Sequence, residues 1–231
     1  LTHHSTYLGN RFIDNAYRQR MERRKLVDPE GYQIYGLGNW GEIGGLILHN
    51  WEVADISQNL NDYDDIAIGQ DFGFNHANAI LLLGIKDDNI YILKEVYVFE
   101  KETAEIIPLA QEAGIPTNKD MWCDSAEPDR IKTWKNAGYR AKGVDKGGAN
   151  GSVKAQIDWL KGVVRKDKVI KRIIRVHPSC VNTIKELQQW KWKKDEKTGE
   201  YLDEPVAFQD DAMAALRYGI EKWRKRKRIL V

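Results

Sequence analysis

The chain has 231 residues, of which 42% are hydrophobic and 30% charged, and its net charge is +2. This length suits one large domain, or one domain with an extension. A net charge so close to zero excludes a polycation, and two cysteines are too few for a disulfide scaffold or a zinc site. No apolar run approaches the roughly 18 residues of a membrane span. We therefore expect reduced thiols, a cytosol-like compartment and no membrane contact.

Two basic clusters stand out against this balance. Residues 222–228 are basic at every position except Trp223, and residues 17–25 are also rich in arginine. Such clusters attract nucleic acid or anionic surfaces, and they are equally typical of solvated charge near a chain end. The first residue is Leu1 and not methionine, so we expect the chain to be a piece of a longer protein.

Residues 1–60 lack a clean hydrophobic period, apart from a predicted helix within residues 8–26. We interpret them as an arm or linker without a compact core. From Asp65 the pattern changes to short apolar strands. Residues 65–73 predict a strand that ends in an acid and a glycine, and residues 76–85 and 89–99 predict a hairpin.

Helices and strands alternate in the rest of the chain. Helices are predicted at 101–114, 127–138, 152–166, 178–190 and 208–219, with strands at 121–123, 139–144 and 172–177 and an exposed hairpin at 191–205. Pro108 is expected to kink or divide the first of these helices. The element order predicts an α/β fold with a mixed central sheet and helices on both faces.

Carboxylates stand where three of these elements begin or end. Asp71 and Asp124 each end a predicted strand, and Asp210 and Asp211 open the last helix. Ligands of open α/β sheets gather beyond the carboxyl ends of the strands, so these acids can converge. Carboxylates held a few ångströms apart repel unless a cation lies between them, and hard oxygen ligands suit Mg²⁺ or Mn²⁺.

Each acid also has an ordinary structural explanation. Asp71 and Asp124 are in positions typical of turn residues. Asp210 or Asp211 is equally typical of a helix N-cap. Residue spacing alone leaves both explanations open.

At these same residues the sequence resembles a known family, the C-terminal nuclease domain of the large terminase subunit of tailed bacteriophages. The matching segments occur in order: residues 3–21 and 35–51 in the arm, residues 66–80, residues 121–131, and the segments 146–161 and 210–219. The resemblance implies a ribonuclease H-like fold. It also implies cleavage of double-stranded DNA with two Mg²⁺ or Mn²⁺ ions held by Asp71, Asp124, Asp210 and Asp211, of which Asp71, Asp124 and Asp211 are the expected catalytic residues.

The resemblance further implies the domain organisation and the partners. Residues 1–60 are the expected linker from a missing ATPase domain, 61–223 the nuclease domain, and 224–231 a basic tail. The chain contains no GxxxxGK[ST] phosphate loop, so we expect it to cut DNA without pumping it. Portal protein and the small terminase subunit are the implied partners, and the host cytoplasm is the implied location.

Position 214 departs from the family pattern. Relatives commonly carry an acid there, whereas this chain has Ala214. At 100° per residue, Ala214 lies between Asp210 and Asp211 on the helix. Either these two acids replace the missing carboxylate, or the chain has lost one, which predicts a weaker metal site and poor cleavage.

Supporting residues are less clearly indicated. Lys146 and Lys154 flank a glycine-rich loop and are candidates for contacts to DNA phosphates, although exposed lysines are common. His76 follows Asp71 by five positions and is a weak candidate for metal or DNA contact. Arg217 is more typical of a structural ion pair or of a residue next to DNA than of a catalyst.

Two other functions agree with the same sequence. A Holliday-junction resolvase or a strand transferase uses the same fold on other DNA substrates. A non-catalytic docking module of the packaging motor would bind DNA or the portal through the basic clusters and would bind no metal.

Overall fold

The computed structural model describes residues 6–27, 32–39, 44–147, 152–165 and 168–226, and its central feature is a seven-stranded sheet. The strands are β1 (Trp51–Val53), β2 (Asp65–Asp71), β3 (Asn78–Lys86), β4 (Asn89–Val98), β5 (Asp120–Cys123), β6 (Arg140–Gly143), β7 (Gly162–Arg165), β8 (Lys168–Lys171), β9 (Ile174–Val176), β10 (Trp192–Lys194) and β11 (Tyr201–Pro205). The helices are α1 (Asn15–Val27), α2 (Thr103–Glu112), α3 (Pro128–Asn136), α4 (Val153–Lys161), α5 (Val181–Gln189), α6 (Asp211–Gly219) and α7 (Glu221–Arg226). Short π-helical and 3₁₀ turns occur at Tyr32–Gly36 and Leu60–Asp62.

The large sheet has the order β1-β9-β4-β3-β2-β5-β6. Strand β3 pairs antiparallel with both neighbours, and the other pairings are parallel. The predicted hairpin is confirmed as β3 and β4, which turn through Asp87 and Asp88 with φ angles of 50° and 61°. Two consecutive positive φ angles suit a tight two-residue hairpin turn.

Alternation along the strands separates the two faces of this sheet. One face carries Ile66 and Ile68 of β2, which pack in the main core with Ile106 of α2 and Trp134 of α3. The other face carries Ala67, Gly69 and Asp71 and is covered by α6. Helices therefore lie on both faces, as the sequence predicts.

Helix α6 lies very close to strand β2. A Cβ atom on Gly69 would be only 1.9 Å from the carbonyl oxygen of Ala215, and one on Gly219 would be 2.4 Å from Leu83 Cδ1. Every residue from Ala212 to Ile220 is buried, so the helix is enclosed on all sides instead of only on its most apolar face.

One prediction about the helices is wrong. Helix α4 ends at Lys161, and residues 162–165 form strand β7, paired antiparallel with β8. Gly162 ends the helix with a φ of 146°, and the valines that follow it favour a strand. Pro108 does not divide α2, which continues from Thr103 to Glu112.

The chain clusters into two compact units, Leu48–Leu187 with Gln209–Val231, and Leu1–Ile47 with Gln188–Phe208. In the second unit Tyr7, Met21 and Tyr32 are buried together in a small cluster. This unit also contains the predicted hairpin, observed as β10 and β11.

The basic C-terminal cluster, residues 222–228, begins within helix α7. Lys222 and Trp223 of α7 donate hydrogen bonds to the carboxylate of Asp65, at 2.7 and 3.1 Å, so these two residues fasten α7 to the start of β2. Residues 227–231 of the predicted tail lie outside the described residues. Within the described ranges, every helix is too short or too polar to cross a bilayer.

Candidate metal centre

The carboxyl ends of β2 and β5 bring two of the predicted acids side by side. The strands run parallel with Gln70 opposite Cys123, and the Asp124 N–H donates to the Gln70 carbonyl at 3.3 Å. Asp71 and Asp124 are therefore neighbours across two parallel strands. By the alternation of side chains, both point to the face that α6 covers.

Helix α6 supplies the other two acids at its first turn. Asp210 occupies the N-cap position, but its side chain makes no capping hydrogen bond. Helix capping by the side chain therefore does not explain this acid. Asp211, the first residue of the helix, has a side chain that is 13% exposed, and its Oδ1 lies 2.6 Å from Nδ1 of His76.

Three residues form a group that suits a cation. Single ligand atoms of Asp71, His76 and Asp211 all lie within 4.8 Å of one another. His76 reaches them from the turn between β2 and β3. Gly73 lets this turn close, since a Cβ there would lie 2.2 Å from the Ala77 carbonyl oxygen. The only sequence signal for His76 is its position shortly after a strand-end acid.

Asp124 has a different environment. Its Oδ1 accepts hydrogen bonds from the Lys146 ammonium at 2.6 Å and from the Ala126 N–H at 2.8 Å, and its Oδ2 accepts from the Tyr218 hydroxyl at 3.2 Å. Lys146, predicted to contact phosphate, is therefore bonded to one of the predicted metal ligands. The group of three that suits a cation does not include Asp124.

The pKa shifts of the acids also differ between Asp71 and Asp210, on the one hand, and Asp124, on the other. Burial and the neighbouring Asp211 carboxylate raise the pKa of Asp71 to about 8, against the opposing effect of the Arg217 guanidinium. Burial also raises the pKa of Asp210. Asp124 has a lowered pKa, because hydrogen bonds from Lys146 and other donors outweigh the effect of burial. Asp71 and Asp210 thus lie in surroundings that disfavour their ionised forms, whereas those of Asp124 favour its ionised form.

The sequence did not indicate two residues, Tyr97 and Glu186, that hydrogen-bond next to the acids. Tyr97 of β4 donates to Glu186 Oε1 at 2.8 Å and lies 3.4 Å from Asp211 Oδ2. Glu186 of α5 is 2% exposed, and its Oε2 accepts the N–H of Met213 at 3.0 Å. Burial raises the pKa of Glu186 well above its usual range. A glutamate within an amphipathic helix gives no sequence signal that it will be buried.

Arg217 and Ala214 both face the region of the acids. The Arg217 side chain is 8% exposed and donates to Gln156 of α4 at 2.9 Å. Ala214 packs with Trp122, Val144 and Tyr218 in a small apolar cluster. Because Tyr218 also bonds to Asp124, position 214 lies one helical turn from that contact. Lys154 is exposed at the start of α4, and its contact with DNA stays a prediction.

Solved structures resemble this fold. The nuclease domain of g2p, the large terminase of bacteriophage SPP1, with bound Mn, matches with a TM-score of 0.63 and 20% identity over 75% of this chain and 97% of that chain. The nuclease domain of the P22 large terminase matches with a TM-score of 0.56 and 18% identity over 74% of this chain and 87% of that chain. The predicted ribonuclease H-like α/β fold is confirmed.

The sequence comparisons agree with the structural ones. The PBSX phage terminase large subunit of Bacillus subtilis strain 168 is 28% identical over 96% of this chain. The chain spans about half the length of that relative, since the match covers 50% of it. The family model described as the terminase RNase H-like domain matches residues 71–222, from the first acid of the site to the start of α7, and the chain therefore belongs to that family.

Proposed function

We propose that this chain is the nuclease domain of a phage terminase large subunit and cuts double-stranded viral DNA with divalent cations during genome packaging. The observation that carries the proposal is the convergence of Asp71, His76 and Asp211 within 4.8 Å. Membership of the terminase family supports it, and so does the similarity to a terminase nuclease with bound Mn.

The residues of the site fit a hard divalent cation. Burial and, next, the Asp211 carboxylate raise the pKa of Asp71 to about 8, so an added positive charge would favour its ionised form at neutral pH. Carboxylate oxygens suit Mg²⁺ and Mn²⁺, and the imidazole of His76 favours Mn²⁺ over Mg²⁺. Asp71, His76 and Asp211 would hold one ion, with Asp210 beside them.

Asp71 and Asp124 are the pair that would share a second ion in catalysis. When bound, two such ions activate a water and stabilise the leaving oxygen of a phosphodiester. The protein side chains orient the ligands: Tyr97 positions Asp211, and Tyr218 positions Asp124. Lys146 and Lys154 would contact the DNA phosphates, which gives affinity without sequence preference.

Plasmid cleavage tests this function. Supercoiled plasmid incubated with the chain and Mn²⁺ should be nicked or linearised, and Asp71→Asn should abolish the reaction. Asp129→Asn, which changes an exposed aspartate on α3, is the matched control and should retain it. Ala214→Asp restores an acid one turn before Tyr218 and should raise the rate. Plasmid that stays intact with both this chain and Ala214→Asp would count against the proposal.

We also propose the organisation that the family implies for the longer protein. Residues 1–60 would connect to an ATPase domain, 61–223 would form the nuclease, and 224–231 would be a basic tail. The coverage of only half of the PBSX relative leaves room for an ATPase domain. Portal protein, the small terminase subunit and the host cytoplasm are the corresponding partners and location.

A further inference from the structure

The amino group of Lys146 already lies where a second cation would be expected. Its Nζ is 2.6 Å from Asp124 Oδ1 and 5.6 Å from the centre of the Tyr218 ring. The Asp124 side chain is 19% exposed and that of Lys146 46%. The Lys146 side chain is therefore considerably more exposed to solvent than the carboxylate that it contacts.

The hydrogen bonds of Asp124 leave little room for another cation. Lys146 and the Ala126 N–H share Oδ1, and the Tyr218 hydroxyl binds Oδ2. A divalent ion at Oδ1 would compete with the ammonium for this oxygen, because two positive charges a few ångströms apart repel. The contact between Lys146 and Asp124 therefore opposes the binding of an ion at Asp124.

The alanine at position 214 also leaves fewer possible metal ligands near Asp124. Ala214 lies in the apolar cluster with Trp122, Val144 and Tyr218, so this turn of α6 adds no carboxylate beside Asp124. The other side has two carboxylates and an imidazole, from Asp71, Asp211 and His76. The two halves of the site are therefore unequal in both ligands and resident charge.

We propose that Lys146 is a built-in cation that fills the second ion position, so that the protein without DNA binds a single divalent ion, at Asp71, His76 and Asp211. This rests on the proposed metal-dependent function and specifies its resting state. The two-ion state then requires that Lys146 leave Asp124.

Calorimetric titration with Mn²⁺ in the absence of DNA tests the proposal by stoichiometry, without any measurement of cleavage. The unaltered chain should bind one Mn²⁺. Lys146→Met keeps the bulk of the stem but removes the ammonium, and should show a second binding event that is on the order of tenfold tighter than any second event in the unaltered chain. Lys142→Met is the matched control, since Lys142 pairs with Asp120 at 3.0 Å instead of with a residue of the site. It should bind one ion, like the unaltered chain.

The outcomes separate this inference from the proposed function. If no variant binds Mn²⁺, the metal-dependent function itself fails. If the unaltered chain binds two ions of similar affinity, or if Lys146→Met still binds only one, the metal site stands and the role of Lys146 is overturned. A second event that appears equally in Lys142→Met would also overturn it, because the effect would then be one of general surface charge.

Discussion

At the scale of single residues, the acids at strand ends and at the helix start were identifiable because residue type and position are both visible in the sequence. Asp71 and Asp211 lie close together. The side chain of Asp210 makes no capping hydrogen bond, so helix capping does not explain an acid at that position. His76 was only weakly indicated, by its position five residues after Asp71, and Glu186 was not identifiable from the sequence. Their roles depend on the path of a turn and on the packing of α5, and both are set by contacts distant in sequence.

Substitution of Tyr97 tests whether its hydrogen bonds position Asp211. Its hydroxyl contacts both Glu186 and Asp211, so Tyr97→Phe removes a donor that links them. Loss of such an outer hydrogen bond typically weakens metal affinity by about 10-fold or more. We expect that loss in a calorimetric titration with Mn²⁺, with the fold retained, because the ring is unchanged.

Tyr91→Phe is the matched control for this variant. Tyr91 lies on the same strand, but its hydroxyl bonds to Arg175, and that contact does not involve any of the four predicted acids. It should leave the affinity for Mn²⁺ unchanged. Equal affinities in the two variants would mean that Tyr97 does not position Asp211.

At the scale of elements, most strands and helices follow from hydrophobic period and turn residues, and the errors have local causes. The hairpin of β3 and β4 was predictable from the polar turn at Asp87 and Asp88 between two apolar runs. The end of α4 was missed because Gly162 adopts a φ of 146°, which a helical period does not reveal. The burial of α6 on all sides depends on how closely the helix approaches β2, and this distance cannot be read from the sequence.

Gly69→Ala tests that approach. The added Cβ would lie 1.9 Å from the backbone carbonyl of Ala215, and a helix backbone cannot yield as a flexible side chain can. Helix α6 must then move away from β2, which carries Asp211 away from Asp71. We expect the free energy of unfolding to fall by about 3 kcal/mol, measured by urea denaturation, together with weaker binding of Mn²⁺.

Gly9→Ala controls for the general effect of replacing a glycine. A Cβ at Gly9 would have nothing within 4 Å, and the residue lies far along the chain from the acids. Its stability and Mn²⁺ affinity should match those of the unaltered chain. Retention of both properties by Gly69→Ala as well would show that the close packing of α6 does not hold the site together.

At the scale of the whole molecule, the sheet order converts distant sequence positions into one charged site. The order places β2 between β3 and β5, and α6 returns from the end of the chain to cover it. Sequence patterns predicted a sheet with helices on both faces but not the distances between the acids. Those distances depend on strand register and on how closely α6 packs against β2. The pairing of Asp124 with Lys146 is of this kind, because nothing in the spacing of the two residues specifies a contact.

The charge of the site should couple the stability of the whole domain to pH and to metal. Without a cation, the folded state keeps a proton on Asp71 up to a pH of about 8, whereas an unfolded aspartate releases it near pH 3.9. Between these values the folded state binds more protons, so this contribution to stability is fully present below about pH 4 and is lost as the pH rises toward 8. A bound cation takes the place of the proton on Asp71, so the folded state no longer loses stability as the pH rises.

We therefore expect added Mn²⁺ to raise the melting temperature more at pH 8 than at pH 6. Asp71→Asn, measured in parallel, should show a smaller decline with pH in chelator and little response to Mn²⁺, because an amide neither titrates nor ligates as strongly. Asp129→Asn should behave as the unaltered chain does. If the unaltered chain and Asp71→Asn have the same pH dependence in chelator, Asp71 ionises at its ordinary pKa, and the crowding of negative charge that attracts a cation to this site is absent.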